Sequence, residues 1–154
     1  MPESLLIALR LPWTLPRSAW RWAKKKAADR QVFVSAGATV VADVQEFLGR
    51  ATPLAVSLEQ HPGEINARLR DLEQEWRGLR QRLRRYTNGH HSDRIRRLGP
   101  ELIEKVEKLM QGLRYMSSMF TDVTEKAAVS ASVFALHERT LELADDLLRE
   151  VHRS

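Results

Sequence analysis

INARLRDLEQEWRGLRQRLRRY, residues 65–86, decides the fold class. Its apolar positions, Ile65, Leu69, Leu72, Trp76, Leu79, Leu83 and Tyr86, recur at alternating intervals of four and three. That is the heptad rhythm of a helix with one apolar seam, whereas a half-buried strand alternates every second residue. The same rhythm runs upstream through Phe33, Gly37, Val40, Val44, Phe47, Ala51, Leu54 and Leu58. Downstream it runs through Leu102, Val106, Leu109, Leu113, Met116, Phe120, Val123, Ala127, Ser130, Phe134, His137, Leu141, Ala144, Leu148 and Val151. The residue types of Val32–Val34 and Thr39–Val44 also suit strands. The phase continues from them into Phe47 and Leu58, which favours helix.

Breakers divide these seams. Thr52-Pro53 restarts or kinks the first, because Thr caps a helix and Pro suits its first turn. His61-Pro62-Gly63 is a turn. Residues 87–99 (TNGHHSDRIRRLG) read as a connecting loop, with a third helix starting at Pro100. Phe120-Thr121-Asp122 followed by Glu125 has the form of a capped break. The unbroken phase through this point favours one long helix instead. The expectation is an all-α, antiparallel helical bundle with coiled-coil-like seams. It has three long helices, or four if the last breaks near Thr121. A continuous last helix would outrun its neighbours, so its 120–152 seam would seek a protein partner or a second copy of the chain.

The 154 residues include no cysteine. That removes disulfides, thiolate metal sites and thiol nucleophiles, and fits a reducing compartment. The longest apolar run, Val32 to Ala42, falls short of the ~20 residues of a spanning helix. Leu5 to Leu9 follows Glu3 and lacks the basic stretch of a secretory signal. A cytoplasmic protein is expected.

Charge is distributed unevenly. The net +5 of the chain resides in residues 1–30, which hold seven basic and two acidic residues, and the rest is neutral. Three of the four tryptophans, Trp13, Trp20 and Trp22, also lie there, among Pro2, Pro12 and Pro16. Residues 1–30 therefore read as a basic Trp-rich arm and 31–154 as the bundle. Arg17, Arg21 and Lys24 share a helical face. Indole suits the membrane–water boundary, and cations are drawn to anionic headgroups. Trp13, Arg17, Trp20, Arg21, Trp22, Lys24, Lys25 and Lys26 are thus candidate membrane-binding residues. They would attach the protein peripherally to an anionic lipid surface. In the alternative, the tryptophans pack on the bundle.

Arg68–Arg97, which holds ten arginines against four acids, is a second candidate polyanion surface. Arg77, Arg80 and Arg84 share a face, and guanidinium suits phosphate, which makes nucleic acid the second candidate partner. Ion pairing inside the bundle competes with it, since residues 101–150 are net acidic.

Catalytic signals are sparse. His90-His91 with Asp93 is a poor metal set without further ligands, and no Glu-x-x-His pair supports a di-metal bundle site. His137 on the last seam suits an interface pH switch or an ordinary core position. No phosphate-cradling Gly-rich loop is present. Arg85 and His90, spaced Arg-x4-His, resemble the motif of the HEPN ribonucleases, which are small helical bundles. The resemblance covers those two residues and implies RNA cleavage. The residues themselves favour a non-enzymatic adaptor without metal or cofactor.

Overall fold

The computed structural model describes residues 17–60, 66–117 and 122–154, with side chains from Arg21 to Ser57 in the first span. These residues form helices α1 (Arg17–Ala51), α2 (Leu54–Gln60), α3 (Asn66–Asn88), α4 (Asp93–Met116) and α5 (Val123–Arg153). No strand occurs among them, so the segments Val32–Val34 and Thr39–Val44 are helical. The all-α bundle is thereby shown. The turn at His61-Pro62-Gly63, and Ile65, Leu58 and Phe120 of the seams, lie outside the described side chains.

The chain divides into two compact units, the first ending at Ala36 and the second running from Gly37 to Ser154. The second unit is the bundle. Within it α4 is central and packs along α5 and α3, while α2 meets both α4 and α5. The core is apolar and closely packed: Val41, Val44, Phe47, Leu48, Leu83, Leu102, Val106, Leu109, Leu113, Met116 and Leu147 are all fully buried. Each such side chain contributes about 1.5–3 kcal/mol relative to exposure. α1 meets α3 through side chains, Phe47 stacking on Trp76 with ring centroids 5.7 Å apart. A Gln45–Asp145 hydrogen bond of 2.7 Å ties α1 to α5.

The α3–α4 connection corrects the sequence expectation. The loop is not 87–99 but the few residues between Asn88 and Asp93, and Pro100 lies inside α4. Ser92 is the true start signal: it is extended (φ −78°, ψ 124°), and its hydroxyl accepts from the Ile95 amide. Asp93 follows in the first turn, where the helix dipole favours an acid. Gly99 is needed for packing, since a Cβ there would sit 2.5 Å from the Cβ of Thr87. Thr87 stays helical by donating its hydroxyl to the Leu83 carbonyl at 2.9 Å.

The last seam is two helices. α4 ends at the Ser117 C-cap, and α5 starts at Asp122, whose carboxylate accepts from the Thr124 amide. The lean toward one long helix is therefore corrected in favour of the four-helix alternative, with short α2 beside it. The α5 register also differs. Lys126, Ser130, Val133, Thr140, Ala144, Leu147 and Val151 are buried, whereas Ala127 and Phe134 of the expected seam are exposed.

The helical stretch Arg21–Ser57, which runs from α1 into α2, is long and apolar enough to cross a membrane by length and composition. This revises the expectation that no segment reaches that length. Its second half is core: Val40, Val41, Val44, Phe47 and Leu48 are 0–7% exposed, and Asp43 pairs with Arg82 of α3.

Candidate functional site

The first candidate surface is the N-terminal half of α1. No Pro or Gly falls between Arg17 and Ala36, and alanines fill several of the intervening positions, so the helix propagates. Trp22 is 62% exposed, Val32 69% and Phe33 38%. At about 100° per residue, Trp22, Lys26 and Phe33 fall within about 40° of one another on the helix. Arg21, Lys24 and Lys25 cover a separate arc of about 100°, and all three are exposed. The Lys26 ammonium lies 4.4 Å from the Trp22 ring centroid, a cation–π contact. Among the described residues no carboxylate pairs with Arg21, Lys24, Lys25, Lys26 or Arg30. The segment therefore presents an unburied indole beside cations that have no ion pair among the described residues. Trp13 lies outside the described residues, as do the side chains of Arg17 and Trp20.

The second surface is α3. Its heptad seam turns Leu69, Leu72, Trp76, Leu79 and Leu83 inward, which leaves the arginines outside. The structure sorts them, together with Arg94, Arg96 and Arg97 of α4, into two sets. Arg80 pairs with Glu107 at 2.8 Å, Arg82 with Asp43 at 2.9 Å, Arg94 with Glu150 at 3.5 Å, and Arg96 with Asp93. Arg68, Arg70, Arg77, Arg84, Arg85 and Arg97 have no ion pair among the described residues and are exposed. The expected face of Arg77, Arg80 and Arg84 is thus divided, with Arg80 committed to the bundle. Two acids of α3 are also committed, Glu73 to Arg114 at 2.9 Å and Glu75 to Arg50. Such half-exposed pairs contribute about 0–1 kcal/mol each. Arg77 opens onto a shallow groove of ≈ 330 Å³ that it shares with Glu73, Trp76, Arg80, Glu107, Gln111 and Arg114.

The α3–α4 turn holds the histidine pair. His90 is 2% exposed and stacks on His91 with centroids 4.4 Å apart. Its Nδ1 accepts from the Ser92 amide at 2.9 Å, and its carbonyl accepts from Arg96. Burial lowers its pKa, and the charges of His91 and Arg96 lower it further. His90 therefore closes the turn as a neutral ring, while Arg85 is exposed on α3. His137 is half-buried; its Nδ1 lies 2.5 Å from Thr52 Oγ1, and burial lowers its pKa against a raising effect of Glu138. No group of three or more metal-ligating side chains occurs among the described residues.

Of the expected seam in residues 120–152, Ser130, Ala144 and Val151 are buried in the bundle. The seam leaves Val123 at 70% and Phe134 at 40% exposure. Compared with family models, with curated proteins and with solved structures, the chain matches none.

Proposed function

We propose that the chain is a non-enzymatic helical adaptor that attaches peripherally to an anionic membrane surface through its N-terminal arm. The exposed Trp22 ring with Lys26 over it, on a helix whose other cations have no acidic partner among the described residues, carries this reading. An indole left in water gains by moving to the lipid boundary, where its N–H stays hydrated. Trp22 and Phe33 supply apolar insertion, and Arg21, Lys24, Lys25, Lys26 and Arg30 supply attraction of about 1 kcal/mol each near an anionic surface. Neither signal alone gives stable attachment, but two together do. Trp13, Arg17 and Trp20 extend the same chemistry in the sequence. The helix lies along the surface in this reading, because the core of the bundle occupies the apolar residues that follow. A reducing cytoplasmic location fits the absence of cysteine.

Co-sedimentation with anionic and neutral vesicles tests the proposal. Wild type is expected to pellet with anionic vesicles and to dissociate as salt rises. Lys24→Gln/Lys25→Gln/Lys26→Gln removes about 3 kcal/mol, a partition roughly 150-fold weaker. Equal pelleting of variant and wild type would overturn the reading.

A further inference from the structure

We propose that the exposed face of α3 is a docking surface for the phosphate backbone of duplex nucleic acid. The face consists of Arg70, Gln74, Arg77, Gln81, Arg84 and Asn88, all exposed and spaced by three or four residues, with Arg85 at its flank. Residues at that spacing share one side of a helix. The stripe contains no acid. Of the acids on α3, Glu73 and Glu75 are engaged by Arg114 and Arg50, and Asp71 lies to one side of the stripe. The bundle thus pairs the arginines that face its other helices and leaves those on this stripe without an ion pair among the described residues, Arg77 sharing its groove with Glu73 and Glu107, which are engaged by Arg114 and Arg80.

Geometry and chemistry select the occupant. Arg70, Arg77 and Arg84 are seven residues apart, about 10.5 Å along the axis. A duplex backbone, with one charge per ~1.7 Å of its axis over both strands, offers each of them a separate phosphate. The stripe is about 27 Å long. Guanidinium binds phosphate oxygens in a two-pronged manner, and the amides of Gln74, Gln81 and Asn88 add neutral donors for phosphate and sugar. No aromatic ring lies on the stripe, so it offers no platform for stacking the bases of a single strand. No apolar side chain lies on it either, so it lacks the insertion a membrane-bound helix uses. The contacts are to backbone and read no sequence.

Fluorescence anisotropy of a labelled duplex DNA of about 25 base pairs, with full-length protein between 50 and 200 mM salt, tests this. The stripe variant is Arg70→Gln/Arg77→Gln/Arg84→Gln, and the charge-matched control is Lys108→Gln/Arg139→Gln/Arg149→Gln. Three lost phosphate contacts reduce the salt slope by about 2.7, so wild-type affinity should fall about 40-fold more than that of the stripe variant over this range. The control should follow wild type, and circular dichroism should show all three equally helical. A stripe variant with the wild-type slope would place the contacts on the arm and overturn the proposal. Failure of wild type to bind duplex would do the same. Loss of anionic-vesicle binding by the stripe variant, with duplex binding intact, would make lipid headgroups the occupant. The arm variant Lys24→Gln/Lys25→Gln/Lys26→Gln separates this outcome from failure of the membrane reading.

Discussion

Two glycines inside helices should respond to the same substitution with opposite signs. At Gly99 of α4, an added Cβ would lie 2.2 Å from Oγ1, 2.5 Å from Cβ and 2.6 Å from Cγ2 of Thr87. Carbon atoms in contact normally rest about 3.5–4.0 Å apart. Rotating Thr87 does not help, because its own Cβ is among the close atoms, so α3 and α4 must separate by about 1 Å. Overpacking costs about 1–3 kcal/mol, and three atoms within 2.6 Å, one of them a β-carbon, put this site in the upper half, about 2–3 kcal/mol. The better helix propensity of alanine returns about 1 kcal/mol, which leaves Gly99→Ala destabilised by about 1–2 kcal/mol. At Gly78 of α3 nothing lies within 4 Å of the added carbon. Gly78→Ala should therefore gain about 0.5–1 kcal/mol. For a chain of 154 residues, about 2–4 °C per kcal/mol puts Gly99→Ala some 2–8 °C below wild type and Gly78→Ala a few degrees above it. Urea and thermal unfolding followed by far-ultraviolet circular dichroism read both. Adding Thr87→Gly to Gly99→Ala should recover part of the loss, giving a favourable coupling energy in the cycle. A Gly99→Ala protein as stable as Gly78→Ala would refute the close α3–α4 crossing.

Ser92→Ala removes the α4 N-cap and should cost about 1 kcal/mol by the same unfolding assay; no loss would return the start of α4 to Pro100. Acid should weaken the bundle through His90 and His137, whose pKa values burial holds below the ordinary 6.5. The folded state favours the neutral rings, so the unfolded chain takes up protons first as pH falls. Their stabilisation is full above about pH 6.5 and is lost as pH drops through the lower folded values. Urea midpoints measured from about pH 7.5 to 5 should therefore fall, and the slope should flatten in His90→Gln/His137→Gln. Unchanged pH dependence in that variant would assign the effect elsewhere.

The helical class was legible because buried positions dictate the seam. Leu69, Leu72, Trp76, Leu79 and Leu83 are buried as the heptad reading requires. The helix break was hidden by arithmetic. Met116 and Ser130 are both buried and stand 14 residues apart, two full heptads, so the connection between α4 and α5 preserves the phase that a continuous helix would show. What shifted was the neighbouring stripe of α5, from Ala127 and Phe134 to Lys126 and Val133. A helix facing one packed side of a bundle buries a broader arc than a two-stranded seam. The α4 start was misplaced because Pro100 is a louder signal than Ser92, although the Ser-Asp pair carries the cap. On α3 the sequence exposed the arginine excess but not its division. Arg80 and Arg84 are equivalent in spacing, and only the position of Glu107 on α4 separates them. The exposure of Trp22 was likewise undecidable from sequence, since an indole beside lysines suits a packed face as well as a lipid-facing one.

Tryptophan fluorescence of a Trp13→Phe/Trp20→Phe protein titrated with vesicles carrying brominated acyl chains tests the membrane-adaptor reading most directly. Trp22 then reports the arm, and Trp76, only 4% exposed in the core, serves as an internal reference. The expected result is a shift of emission to shorter wavelength and quenching by the brominated chains with anionic vesicles, reversed by salt. Emission that stays unshifted and open to an aqueous quencher at saturating anionic vesicles would contradict the membrane-adaptor reading.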